Sequence, residues 1–236
     1  MIRSLPSIFL RGIGWLVAGW LVLTIAVVLL LRWVNPPTSA FMLRERSVAW
    51  WQDDETYRFR HEWAEWQDIS RQAKLAVIAA EDQKFAEHYG FDFKSINAAL
   101  EDRRRGGRTR GASTLTQQVA KNLFLWPGQS WVRKGLEAWF TLLIETCWSK
   151  QRILEVYLNV AEFGKGIYGV GAASQSFYRK PAARLNAPDA ALLAAVLPNP
   201  KRYRVNAASN YVRKRQQWIV GQMRALTRDP EIEALI

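Results

Sequence analysis

The chain opens on an unbroken apolar run. Gly12 to Leu31 reads GIGWLVAGWLVLTIAVVLLL and holds no charged residue. About twenty helical residues at roughly 1.5 Å each span some 30 Å, the thickness of a hydrocarbon core. The run exceeds the roughly 7–15 residues of a signal-peptide core, and Thr38-Ser39-Ala40 is a poor cleavage site. A retained anchor is therefore expected rather than a cleaved leader. Arg3 and Arg11 precede the run with no acid beside them, which favours a cytoplasmic N-terminus and puts the longer C-terminal part across the membrane. Arg32, Arg44 and Arg46 on the other flank weaken that asymmetry.

Asn35-Pro36-Pro37-Thr38-Ser39 breaks the helical pattern. The expected organisation is a cytoplasmic tail over 1–11, a transmembrane anchor over 12–31, a linker over 32–45 and one folded domain over 46–236. In that domain the apolar spacing predicts helices over Ile69–Asp82, Lys94–Arg104, Thr114–Leu125, Trp131–Trp148, Gln151–Val160, Gly169–Tyr178, Pro188–Val196 and Asn210–Leu226. Pro188 suits a first helical turn, and Pro198 and Pro200 end the same helix. No alternating run is long enough to suggest a sheet, and no repeat is present. The fold class is mainly α.

Composition narrows the partners. With the anchor set aside, roughly 190 residues remain, enough for one domain with a real core. The formal charge of +12 calls for an anionic partner: nucleic acid, anionic lipid or a phosphorylated substrate. The single cysteine, Cys147, excludes an internal disulfide and reads as an inert core residue. Tryptophan is abundant, 12 in 236 residues, and serves membrane interfaces and sugar-binding surfaces as well as cores. Trp50-Trp51, Phe41-Met42-Leu43-Arg44 and Trp126 accordingly read either as interfacial or as domain packing. The arginine-rich loop from Arg103 to Arg110 reads either as a solvated charge run or as a collar for phosphate or anionic lipid.

Three constellations could carry chemistry. Glu81 and Asp82 close an apolar, alanine-rich helix, where desolvation raises a carboxylate pKa toward the range of a general base. Such acids are otherwise surface charges. Gly111-Ala112-Ser113-Thr114-Leu115-Thr116-Gln117-Gln118 combines a glycine entry with capping-box spacing at Thr114 and Gln117, and Lys121 follows two turns on. It reads either as a well-capped helix or as an anion site built on free N–H groups. Arg133 and Lys134 precede Glu137 at helical spacing, either as a surface ion pair or as a carboxylate held among phosphate-binding cations. His61 and His88 are isolated, with no metal spacing, and no serine is followed three positions later by lysine, so no Ser-x-x-Lys nucleophile is present.

Together these motifs resemble the monofunctional biosynthetic peptidoglycan transglycosylases, a family related to the glycosyltransferase domain of class A penicillin-binding proteins. The Glu-Asp-x-x-Phe-x-x-His-x-Gly pattern stands as Glu81 to Gly90, and the Gly-Gly-Ser-Thr-Ile-Thr-Gln-Gln-x-x-Lys-Asn pattern as Gly111 to Asn122. Arg-Lys-x-x-Glu stands as Arg133 to Glu137. Lys-x-x-Ile-Leu-Glu-x-Tyr-Leu-Asn stands as Lys150 to Asn159, followed by Phe163-Gly164-Lys165-Gly166-Ile167-Tyr168-Gly169. The match departs at Ala112, where the family has a second glycine, at Leu115 for isoleucine, and at Gln129 for an arginine.

The resemblance implies a lysozyme-like helical glycosyltransferase domain on one transmembrane helix, in the inner membrane with its catalytic domain in the periplasm. It implies Glu81 and Glu137 as catalytic residues. Lys84, Ser113, Thr114, Gln117, Gln118, Lys121, Asn122, Arg133 and Lys134 are implied as substrate-binding. The implied substrates are lipid II and the growing glycan chain. Membrane lipids and cell-division or elongation proteins are the other expected partners, and nucleic acid is not. A divalent cation, Mg or Mn, is left open as a cofactor. The competing readings are a lysozyme-like peptidoglycan hydrolase, which needs no cationic diphosphate site, and a membrane-tethered anion-binding module, which needs neither glutamate.

Overall fold

The computed structural model describes residues 5–105 and 113–236. Gly111, Ala112 and most of the arginine-rich loop lie outside the described residues, so the expectations placed on them are not addressed by the fold.

Helix α1 runs Leu5–Leu31. It stops at the Asn35–Ser39 break, where Ser39 caps helix α2, Ala40–Trp51, by accepting from the Met42 N–H. Helix α2 crosses the boundary drawn at 45/46. Its arginines and tryptophans lack a clear period, which is why the sequence pattern did not single it out. The remaining helices are α3 (Arg71–Glu81), α4 (Phe93–Arg104), α5 (Leu115–Phe124), α6 (Trp131–Cys147) and α7 (Lys150–Val160). They are followed by α8 (Val170–Tyr178), α9 (Ala187–Val196), α10 (Asn210–Leu226) and α11 (Pro230–Leu235). The eight helices expected from spacing are all present within one or two residues. Their starts are set by side-chain caps: Ser70, Thr114, Ser130, Ser149, Asn186 and Ser209 each accept from a first-turn N–H.

The expectation of no sheet needs correction. Strands β1 (Arg60–His61), β2 (Glu162–Gly164) and β3 (Ile167–Tyr168) form a small sheet in the order β1-β3-β2. The central strand β3 runs parallel to β1 and antiparallel to β2. Segments this short carry no readable alternation. The β2–β3 turn needs Gly166, at φ +76°, because a Cβ there would lie 2.6 Å from the Arg58 carbonyl oxygen.

Helices α3, α7 and α9 form the centre of the core and are buried almost throughout. Helix α9 packs on both α3 and α10, while α5 packs on α6 and α7. This brings the end of α3, one face of α5 and the inner face of α10 together.

Helix α1 carries a 21-residue stretch, Arg11–Leu31, long and apolar enough to cross a membrane. Its C-terminal half lies along α6. Trp139 Nε1 donates to Thr24 Oγ1 at 3.2 Å, Trp148 Nε1 donates to the Val28 carbonyl at 2.8 Å, and Trp20 meets Trp139 with ring centroids 6.1 Å apart. Part of the tryptophan content thus joins the anchor to the domain. Trp50 and Trp51 are 79% and 83% exposed; in the Phe41–Arg44 segment Met42 is buried and Leu43 is exposed. Cys147 is half-buried.

Candidate active site

Glu81 is the last residue of α3. The helix is apolar from Leu75 to Ala80, so the carboxylate leaves a packed element and is 13% exposed. Gln118 Nε2 on α5 donates to its Oε2 at 2.9 Å, and the Tyr157 hydroxyl on α7 donates to Gln118 Oε1 at 3.2 Å. Arg215 Nη2 on α10 lies 3.4 Å from Oε1. Burial pushes the Glu81 pKa above its ordinary 4.5; the Gln118 bond and the charges of Arg215 and Lys121 oppose that shift, and Asp82 adds to it. Burial also raises the Tyr157 pKa well above 10, so its hydroxyl remains a donor to the Gln118 amide.

Asp82 points the other way and is buried. It meets His88 Nε2 at 2.9 Å and accepts the Leu115 N–H at 2.9 Å. Of the two readings of the start of α5, these contacts show the well-capped helix. The Leu115 N–H goes to Asp82, the Gln117 N–H to Thr114 Oγ1 and the Gln118 N–H to the Thr114 carbonyl. Gln117, expected to bind substrate, is 4% exposed, and its Oε1 accepts the Thr114 N–H in a closed capping box. Thr114 is also buried and donates to the Gly90 carbonyl at 2.7 Å. Thr114 braces the second motif against the first, and Gln117 closes the box within the second. A local pattern cannot reveal that a carboxylate from another helix fills the helix start.

The cations gather around Glu137. Arg133 Nη1 donates to Glu137 Oε2 at 2.9 Å, and Lys134 Nζ pairs with Oε1. Glu137 is 3% exposed and Arg133 is buried, so this is no surface pair; Lys134 keeps its side chain 46% exposed. Arg133 Nε is buried with no partner among the described residues. Lys121 on α5 joins the two carboxylates electrostatically. Burial lowers its pKa most, the negative charges of Glu137 and Glu81 raise it, and Arg133 and Lys134 lower it.

One hollow is lined by Glu81 and a second by its partner Gln118. One, of about 240 Å³, is lined by Glu81, Lys84, Ser113 and Thr114 together with Asp82, Gln83, Asp92 and Ser95. The other, of about 230 Å³, includes Gln118, Lys121, Asn122, Tyr157 and Phe41 among its lining. The first and second motifs therefore meet at one carboxylate, with Gln118 between the hollows. Gln129 is exposed in the turn ahead of α6.

A divalent cation does not find a ready ligand set here. Among the described residues no three His, Cys, Asp or Glu side chains converge. Both Glu137 oxygens already face cations. A magnesium ion at this place would draw most of its oxygens from a substrate diphosphate and water.

Sequence reasoning missed Arg215, which lies 134 residues from Glu81 and in none of the motifs. It also did not assign Tyr157 to the site, although Tyr157 stands within the Lys150–Asn159 pattern and was legible there.

A nearly buried carboxylate beside a shielded cluster of cations, on a helical domain tied to an apolar helix, defines a membrane-associated enzyme for an anionic substrate. Residues 48–224 match the family model described as Transglycosylase. The chain belongs to this family, and its fold is accordingly the lysozyme-like, mainly helical one. It is 54% identical over 226 residues to the biosynthetic peptidoglycan transglycosylase of Pseudomonas entomophila, covering 96% of this chain and 94% of that protein. The protein of the same description from Stutzerimonas stutzeri is also 54% identical, over 96% of this chain and 91% of its own. That from Pseudomonas savastanoi is 50% identical over 235 residues, covering 100% of this chain and 98% of the relative.

Proposed function

We propose that this protein is a peptidoglycan glycosyltransferase that polymerises lipid II into β-1,4-linked strands and releases undecaprenyl diphosphate. Glu81 takes the proton from the acceptor 4-hydroxyl as that oxygen attacks the anomeric carbon of the growing chain. The α-linked diphosphate leaves as the β bond forms, so configuration inverts. Charge building on the leaving diphosphate is met by Lys121, Arg133 and Lys134. Glu137 holds Arg133 and Lys134 in place; Arg133 Nε, buried and unpartnered among the described residues, is a donor for a phosphate oxygen. Lys84, Ser113, Gln118 and Asn122 line the two hollows and are the polar groups available to sugars and peptide.

The observation that carries this reading is the placement of Lys121, within the field of both Glu81 and the Arg133–Lys134–Glu137 cluster. On this reading Lys121 links the base to the leaving-group cations. An anchored domain also keeps that cleft at the height of a lipid-linked diphosphate, which raises the encounter frequency. The orientation supported by Arg3 and Arg11 puts the domain in the periplasm of an inner membrane; protease digestion of intact spheroplasts should remove it, and protection would reverse the assignment. Labelled lipid II tests the reaction. Formation of glycan polymer, lost in Glu81→Gln, is expected. Cleavage of finished peptidoglycan with no polymer formed would favour the hydrolase instead.

A further inference from the structure

We infer that Arg215 is a positioning residue for this reaction, tying the Glu81 carboxylate and the last turn of α3 to helix α10. The inference rests on Glu81 acting as the base. Arg215 Nη2 reaches two acceptors at once: the Ala80 carbonyl at 3.3 Å and Glu81 Oε1 at 3.4 Å. The Ala80 carbonyl belongs to the last turn of α3, where no intrahelical N–H is available and the helix end carries partial negative charge. One guanidinium thus caps the helix and braces the side chain that ends it.

The arrangement divides the labour at Glu81. Gln118 from α5 donates to Oε2 and Arg215 from α10 approaches Oε1, so two helices fix the carboxylate plane. Among the described residues, the charged and titratable groups acting on Glu81 are Arg215 from α10, Lys121 from α5, Asp82 beside it and Tyr157 from α7, with Lys84 and Asp92 lining the same hollow. Arg215 and Lys121 are the cations that act most on Glu81, and Lys121 also answers to Glu137. A carboxylate this dry needs a nearby cation to stay ionised before it accepts a proton. The 3.4 Å approach is long for an ion pair, which leaves Oε1 accessible to a proton from the acceptor. The Arg215 side chain is itself 22% exposed, so its charge is only partly screened.

The test is the pH dependence of kcat/KM for lipid II polymerisation by the full-length enzyme in detergent, comparing wild type, Arg215→Gln and Arg215→Lys. In Arg215→Gln the acid limb should move up by about one pH unit, the effect of removing an opposite charge at this range. Activity on the limb should then fall about tenfold, recovering at higher pH, with KM little changed. Arg215→Lys keeps the charge but cannot span both acceptors, so a smaller shift in the same direction is expected. If Arg215→Gln fails to fold, Arg215→Lys alone carries the test. An unmoved acid limb, or a loss equal at every pH, would overturn the inference. Glu81→Gln separates the two levels. Retained activity there would remove the base itself. An inactive Glu81→Gln with an unmoved limb in the Arg215 variants would remove only the positioning role.

Discussion

Arg152 on α7 closes over the end of the anchor helix: its Nη2 donates to the Leu31 carbonyl at 3.0 Å and its Nε to the same oxygen at 3.2 Å. The guanidinium also reaches the Val34 carbonyl at 3.0 Å and Asn35 Oδ1 at 2.8 Å, and is held by Glu155 at 2.7 Å. The final carbonyls of a helix lack intrahelical partners and draw a cation. The anchor is therefore clamped to the catalytic domain. Arg152→Ala should destabilise the full-length protein by about 3 kcal/mol, since it leaves Glu155 poorly exposed and without its cation. Chemical denaturation in detergent measures this. Arg152→Lys should recover less than half, because an ammonium lacks the planar fork. A loss as small as that of an exposed ion pair would show that the clamp does not hold.

Glu81→Gln should separate activity from stability. Polymerisation should fall by at least about 10²-fold with the proton acceptor gone. Stability should move the other way. Burial raises the folded-state pKa above 4.5, so the folded protein holds the Glu81 proton more tightly than the unfolded chain does. Below 4.5 both states are protonated, and the site contributes its full stability. That contribution is lost as pH rises through the folded value. At neutral pH the amide variant should melt higher than wild type, and the gap should close on acidification. Melting curves in detergent across that range decide it; a lower melting temperature at neutral pH would contradict the assignment.

Glu137 and Lys134 differ in burial and should differ in consequence. Removing Glu137 strands the buried Arg133, so Glu137→Ala should cost about 3–5 kcal/mol. Lys134 is half-exposed, so Lys134→Ala should change stability by no more than about 0.5 kcal/mol. Its effect should appear in kinetics, weakening use of the diphosphate-bearing donor more than that of the acceptor. Steady-state assays varying a preformed glycan donor and lipid II separately measure this. Equal losses on both would count against a diphosphate contact.

Gly90→Ala should be costly for a geometric reason. Gly90 has φ +80°, and an added Cβ would lie 2.7 Å from Thr141 Cγ2 and 2.8 Å from Glu145 Cγ. Glu145 in turn accepts from Thr116 Oγ1 at 2.5 Å and from Lys150 Nζ at 2.9 Å, so the strain reaches the second motif. A loss of about 1–3 kcal/mol is expected. By contrast Gly135 sits within α6, where an added Cβ would meet nothing within 4 Å. It should accept alanine with a gain of about 0.4–1 kcal/mol. Thermal melts of the two variants should shift in opposite directions.

The amino-acid pattern alone determined the apolar first helix, eight of the later helices, and the order of motifs ending at Asn159. These features are local: a 3.6-residue period and, at most of these helix starts, a serine, threonine or asparagine cap. The partial burial of Glu81 followed in the same way from the alanine-rich helix it terminates. Tertiary structure decided the rest. Asp82 occupying the start of α5, Arg215 reaching Glu81 from α10 and Arg152 capping the anchor join residues 33, 134 and 121 positions apart. No periodicity encodes such contacts, because they exist only after α9 has packed on α3 and α10 and α5 has packed on α6 and α7. The helices are set by each residue's neighbours in the chain; the electrostatics of the site are set by which helix ends the packing brings together.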